Sequence, residues 1–221
     1  MNKKGLIIGA TGLVGKQLTK QLLADDNYSE VHIFVRRLLS LDHNEDLKNK
    51  ITQHIVDFDN IENWQDKLVG DELFCCLGTT LKQAGSKENQ TQIDLNIPSK
   101  VATYAHHNGV KKAVLVSSTG ANEQSSSFYL KLKGQLEQNF IHLDWEQVII
   151  VRPSFLKGKR NQFRLGEELG IGLFRILKFV PFVKRYRPIT GKQLAKTMRK
   201  LVCQNNPERV VIKELEQLFN D

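Results

Sequence analysis

Gly5-Leu-Ile-Ile-Gly9-Ala-Thr-Gly12-Leu-Val-Gly15 carries two hydrophobic periods in one short stretch near the amino end of the chain. The apolar run up to Gly9 has the pattern of a buried strand, whereas Leu13, Val14, Leu18, Leu22 and Leu23 recur as one stripe of a helix. Three glycines, Gly9, Gly12 and Gly15, occupy the turn between them. Alone, a G-x-x-G-x-x-G run is a weak signal. At a first strand-to-helix turn, however, each glycine has a task. One permits the tight turn, one lets a pyrophosphate approach the backbone, and one allows close packing of helix on strand. Free N–H groups at the helix start near Leu13 then face the diphosphate, aided by the helix dipole. Thr11, Leu13 and Val14 belong with the glycines in this expected cofactor cradle. The competing reading is a glycine-rich turn that holds no ligand.

The next strand, Val31 to Val35, ends in Arg36-Arg37. A site for NAD(H) usually has Asp or Glu here to accept from the ribose hydroxyls. A carboxylate repels a 2′-phosphate, while two guanidinium groups attract it and form paired hydrogen bonds. The pattern favours NADP(H) over NAD(H), against the alternative of solvated surface charge. Asp57 follows a third strand, Ile51 to Val56. Its carboxylate either accepts from an adenine amino group or caps a helical turn before Ile61, a place Asp59 or Asn60 also suits. Glu72 to Leu77 reads as a fourth strand, stopped by Gly78. Leu77, Gly78 and Thr79 then stand at the carboxyl edge of the sheet, with Gly78 allowing close approach of the cofactor.

Further along, Asn89 to Asn108 reads as a long helix ending at Gly109, with a kink or a start near Pro98. Ala113 to Val116 is a fifth strand and Val148 to Val151 a sixth, with a helix from Phe128 to His142 between them. Strands written as apolar runs and alternating with helices predict a Rossmann-type doubly wound parallel sheet, covered by helices on both faces. Beyond Pro153 the order weakens. A helix from Phe163 to Phe179, another from Gly191 to Gln204 and a strand at Val210 to Ile212 are expected. The whole chain is read as one dinucleotide-binding domain, with 157–187 as a small helical lid on the substrate side.

Composition excludes several classes. With 40% hydrophobic and 25% charged residues, a disordered chain is not a candidate. No stretch approaches the ~20 apolar residues that span a bilayer, and only Met1 to Lys4 precede the first apolar run, so a cytoplasmic address is expected. Cys75 and Cys76 fall inside the fourth strand and read as small hydrophobes; with Cys203 far away, no metal-ligand spacing exists. The net charge of +8 is concentrated between Lys157 and Arg187, where nine Lys or Arg face two Glu. Such clustering points to one basic site or face rather than an evenly basic protein.

A reactive constellation follows the fifth strand. Tyr129 and Lys133 are four apart on the expected helix and share one face. An ammonium beside a phenol favours the phenolate, so Tyr129 can exchange a proton near neutral pH. Ser118, at the end of the fifth strand beside Ser117, is placed to hydrogen-bond a carbonyl oxygen. A Tyr-x-x-x-Lys pair also arises by chance as surface decoration. Its position one loop after the serine-bearing strand end, in a chain with the glycine turn, favours chemistry.

Taken together, Gly9-Ala-Thr-Gly-Leu-Val-Gly15, Ser117-Ser118, Tyr129-x-x-x-Lys133 and Arg152-Pro153 resemble the short-chain dehydrogenase/reductase superfamily in its extended and atypical branches. Cys76-Leu-Gly-Thr-Thr80, Ser117-Ser-Thr-Gly-Ala121 and Tyr129-Leu-Lys-Leu-Lys-Gly134 narrow the likeness. They resemble the atypical group that contains the human Tat-interacting-protein oxidoreductase and its small bacterial relatives. The likeness covers residues 4–155 well and the remainder loosely. It implies that Ser118, Tyr129 and Lys133 form a catalytic triad, with Lys133 also holding the nicotinamide ribose. It further implies that Asn96 helps organise a proton path, and that Ser117, Pro153 and Ser154 approach the nicotinamide side. Cys76-Leu-Gly-Thr departs from the Asn-Ala-Gly of classical members, so their detailed active-site architecture does not transfer.

The resemblance implies an NADP(H)-dependent oxidoreductase acting on a small carbonyl or alcohol. The alternative is a non-catalytic NADP(H)-binding regulator or scaffold, since fold alone does not fix turnover. Pairing of surface helices is common in the resembling family, which makes a homodimer an expectation. The basic segment reads as a lid with solvated cations, as a lid that attracts an anionic substrate or the cofactor phosphates, or as a contact with an acidic membrane surface or partner. Nucleic acid is the weaker partner, because no recognised binding module accompanies the charge.

Overall fold

The computed structural model describes residues 2–40, 49–157, 187–204 and 206–219. Seven strands form one parallel sheet: β1 (Lys3–Ile8), β2 (Tyr28–Val35), β3 (Ile51–Ile55), β4 (Glu72–Cys75), β5 (Lys112–Val116), β6 (Gln147–Arg152) and β9 (Val210–Glu214). Their order is β3-β2-β1-β4-β5-β6-β9. From β1 the chain first winds outward through β2 and β3, then returns to the other side of β1 at β4. Beyond the carboxyl ends of β1 and β4 a crevice opens, the place where this architecture binds ligands.

The doubly covered sheet follows from the apolar runs, because alternate residues of a strand enter different cores. Leu6 and Ile8 join Leu73, Leu115 and Ile150 on one face, under α4 (Ile97–His107) and α5 (Phe128–His142). Ile7 joins Ile33, Phe74, Val114 and Ile149 on the other, under α1 (Gly15–Leu23) and α6 (Gly191–Cys203). At the amino edge, away from the crevice, buried Glu72 accepts from Lys3 Nζ at 2.7 Å and from the Tyr28 hydroxyl. A buried carboxylate needs such partners.

A short helix α2 (Leu81–Ala84) comes first, and the expected long helix is three pieces: α3 (Lys87–Thr91), a π-helical turn over Gln92–Asn96, and α4. Pro98 lies in the first turn of α4. It has no N–H to donate backward, and the widened turn before it absorbs the break. Gly109 follows α4 with φ +88°, the left-handed residue just past a helix. The strand expected at Val210 to Ile212 extends to Glu214 as β9. Two-residue strands β7 (Leu156–Lys157) and β8 (Ile189–Thr190) pair in parallel, Leu156 opposite Ile189 and Lys157 opposite Thr190. The helix expected at 163–179, and most of the expected basic lid, lie outside the described residues. Among the described residues, no helix is long and apolar enough to cross a membrane, and no cluster of His, Cys, Asp and Glu could hold a metal ion.

Candidate active site

The turn from β1 to α1 is built around two glycine requirements. Gly9 has φ +80°, and a β-carbon there would sit 2.6 Å from the carbonyl carbon of Cys76 at the end of β4. Gly15 has no such conformational need, but a β-carbon on it would lie 2.2 Å from the Gly9 carbonyl oxygen. The first glycine therefore makes the turn and the second lets α1 press against the strand end. Gly12 donates to the Gly9 carbonyl at 3.0 Å, which closes the loop. Val14 caps α1 without a side-chain hydrogen bond, and the Lys16 N–H donates to the Gly12 carbonyl at 3.0 Å where the helix begins. The positive end of the α1 dipole thus opens beside the glycine turn, a setting that favours an anion.

A cavity of about 460 Å³ adjoins this turn, lined by Gly9, Ala10, Thr11, Phe34, Phe58, Ile93 and Ile97, and by Arg36 and Arg37. Phe34 stacks on Trp64 at 5.3 Å between ring centroids, and Phe58 meets Trp64 edge-on at 5.6 Å. Aromatic and aliphatic side chains thus back a cavity that two exposed guanidinium groups also line. Asp57 does not line that cavity. Its Oδ2 accepts from Asn60 Nδ2 at 2.7 Å and its Oδ1 from the Asp59 N–H at 3.0 Å, and these bonds hold its carboxyl below the usual carboxylate range. Each oxygen thus accepts one bond from the turn before Ile61. The next residue, Phe58, lines the cavity, and the sequence did not single it out.

A wider groove of about 1170 Å³ continues along the glycine turn, and Lys16, Lys20, Arg36, Lys157 and Lys192 line it together with Thr79. Toward β5, a third cavity of about 40 Å³ is shared by Leu13, Val14, Leu77, Gly78, Ser117, Ser118, Tyr129, Lys133, Pro153 and Ser154. The structure therefore brings Ser118, Tyr129 and Lys133 to one cleft beside the glycine turn. Lys133 is 3% exposed, and its Nζ lies 6.0 Å from the centroid of the Tyr129 ring. Cys75 is core, as expected of a small hydrophobe, while half-buried Cys76 also faces this cleft.

Asn96 is not brought there. Its side chain is exposed and donates to Gln92 Oε1 at 3.0 Å. The buried polar group of that turn is Asp94, which accepts from the Thr79 N–H at 2.6 Å. The π-helical turn explains the shift, because it rotates side chains out of the phase that an α-helical reading assigns.

A second missed residue fixes the helix that carries Tyr129 and Lys133. Glu137, one turn beyond Lys133, is 2% exposed and lies between α5 and the sheet. Arg152 grips its carboxylate with Nε at 2.9 Å and Nη2 at 2.6 Å, and the Ser117 hydroxyl donates to it as well. Tyr129, Lys133 and Glu137 at spacings of four were a legible stripe. Ser117 thus serves two ends, lining the cleft and anchoring α5 through Glu137.

Comparison with known proteins agrees with this geometry. The family described as NAD(P)H-binding matches residues 9–168. Protein FMP52, mitochondrial, from Debaryomyces hansenii is 37% identical over 86% of this chain and 83% of its own length. Protein HTATIP2 from Rattus norvegicus is 34% identical over 78% of this chain and 71% of its own. Among solved structures, MoeE5 in complex with UDP-glucuronic acid and NAD superposes with a TM-score of 0.71, at 14% identity, over 96% of this chain and 76% of that one. That last likeness is one of fold. With the glycine turn, the doubly wound sheet and these relatives in hand, the chain belongs to the NAD(P)H-binding family, as an atypical member of the short-chain dehydrogenase/reductase type.

Proposed function

We propose that this protein is an NADP(H)-dependent oxidoreductase that interconverts a small carbonyl compound and its alcohol. The observation that carries the reading is the convergence of Ser118, Tyr129 and Lys133 on one cleft contiguous with the glycine turn. When bound, the dinucleotide supplies or accepts the hydride at the carbonyl carbon. Ser118 holds the carbonyl oxygen by its hydroxyl. Tyr129 delivers a proton to that oxygen in reduction and takes it back in oxidation. The Lys133 ammonium favours the phenolate of Tyr129 after the proton has left, and it holds the ribose beside it.

The test is NADPH oxidation against a panel of small carbonyl compounds. Tyr129→Phe and Lys133→Ala are each expected to lower turnover by ~10²-fold or more, while Tyr129→Phe keeps its affinity for NADPH. Full activity in both variants contradicts the chemistry. A non-catalytic regulator would bind the cofactor equally well and turn over nothing, so the same assay separates the two readings.

Preference for the phosphorylated cofactor rests on Arg36 and Arg37, which line the cavity, with no acidic side chain among the described residues that line it. Charge-assisted hydrogen bonds contribute roughly 1.5–3 kcal/mol each. The double change Arg36→Ser, Arg37→Ser is therefore expected to weaken NADPH binding by ~10-fold to 100-fold and to leave NADH binding unchanged. Equal losses for both cofactors contradict the assignment. We further propose that 157–187 covers the substrate side, that the chain works in the cytoplasm, and that it pairs as a homodimer. Arg187 supports the first of these by stacking 3.7 Å over the Phe219 ring, where the chain returns to the body of the fold.

A further inference from the structure

Asp94 is fully buried. Its Oδ1 accepts from the Thr79 N–H at 2.6 Å, but its Oδ2 is buried with no hydrogen-bond partner. A carboxylate in that setting is costly unless it is neutral or faces a cation. The tie to Thr79 does not explain the charge, because an asparagine would accept from the same N–H. The nearby cation is Lys133, itself only 3% exposed.

Both groups close on the α-carbon of Gly78. A β-carbon built there would lie 3.5 Å from Lys133 Nζ and 3.7 Å from Asp94 Oδ1, so the two charges are within about 7 Å of one another. No hydrogen bond joins Oδ2 to the ammonium. The Cys75 thiol beside them, which burial pushes up to about 11, lies close enough to feel the fields of both Lys133 and Asp94. A buried carboxyl and a buried amine therefore share one small volume at the floor of the cleft. Among the described residues no salt bridge joins either to another side chain, and the buried carboxylate nearest in sequence to Lys133, Glu137 one turn on, is held by Arg152.

We propose that Asp94 is the counter-charge that keeps Lys133 an ammonium, a positioning residue that acts on Tyr129 through Lys133. The role given to Lys133 rests on the function proposed above, whereas the pairing of charges stands on the geometry alone. A neutral amine at Lys133 would neither favour the Tyr129 phenolate nor hold a ribose oxygen as strongly. Asp94 would thus set the pH range over which the pair works, without touching substrate.

Trace acetylation with acetic anhydride reads the free-amine fraction of each lysine, peptide by peptide, by mass spectrometry of the full chain without cofactor. Lys131, exposed and two residues away, is the internal reference. In Asp94→Asn, which keeps an acceptor for Thr79, Lys133 is expected to acetylate about tenfold faster relative to Lys131 at a fixed mildly alkaline pH. The curve of Lys133 rate against pH should also slide toward lower pH. Greater access alone would scale that curve without sliding it. Asp94→Ser, smaller and also uncharged, gives the same comparison where the amide variant does not fold. An unmoved curve, or one only scaled, in a folded variant overturns the proposal. Because the assay needs no turnover, it stands or falls independently of the Tyr129 experiment.

Discussion

Gly15→Ala is expected to abolish dinucleotide binding, with no saturable heat on titration with NADPH and a lowered melting temperature. The added methyl would lie 2.2 Å from the Gly9 carbonyl oxygen, 2.8 Å from its carbon and 2.9 Å from the Ala10 α-carbon. All three are backbone atoms of the turn itself, so no side chain can swing aside to make room. Relief requires α1 to move off β1, which withdraws the helix N–H groups from the diphosphate. Gly85→Ala is the matched control. Gly85 has φ +82°, yet nothing lies within 4 Å of an added β-carbon. It should cost only the ~1–2 kcal/mol of a left-handed alanine and leave NADPH binding intact. Wild-type affinity in a folded Gly15→Ala chain would mean that the dinucleotide does not sit on this turn.

Glu137→Leu has the second large effect, this time on stability. It strands the half-buried Arg152 guanidinium, which bonds Glu137 through two nitrogens, and the Ser117 hydroxyl. Breaking such a pair from one side costs roughly 3–5 kcal/mol, readable as a lower midpoint in urea unfolding. The second anion near Arg152, Glu214 at 3.6 Å, is half-exposed and does not replace it. Removing both partners in Glu137→Leu, Arg152→Met should recover much of the loss, because buried pairs often exchange for apolar groups at little cost. A single variant as stable as wild type would show that the network is not what seats α5.

The fold was largely legible because its strands are short apolar runs set between periodic helices. Phe128–His142 matches the expected helix residue for residue, and Gly109 ends α4 in the left-handed conformation that its position suggested. What escaped the reading has physical causes. β7 and β8 are two residues each, too short to carry a period. The family likeness pointed to Asn96, whereas the structure buries Asp94, and the π-helical turn over Gln92–Asn96 breaks the phase by which a sequence could have told the two apart. Glu137 was legible as the third member of the Tyr129 and Lys133 stripe, but its partner, Arg152, comes from a strand fifteen residues on, and nothing local marks that contact. That Asp57 accepts from Asp59 and Asn60 depended on the folded turn, which the sequence does not spell out.

Calorimetric titration of the folded chain with NADPH, followed by NADH, tests the central assignment most directly. One saturable site per chain, tighter for NADPH than for NADH, is the predicted result. Absence of heat with either cofactor, on protein that melts cooperatively, would contradict it.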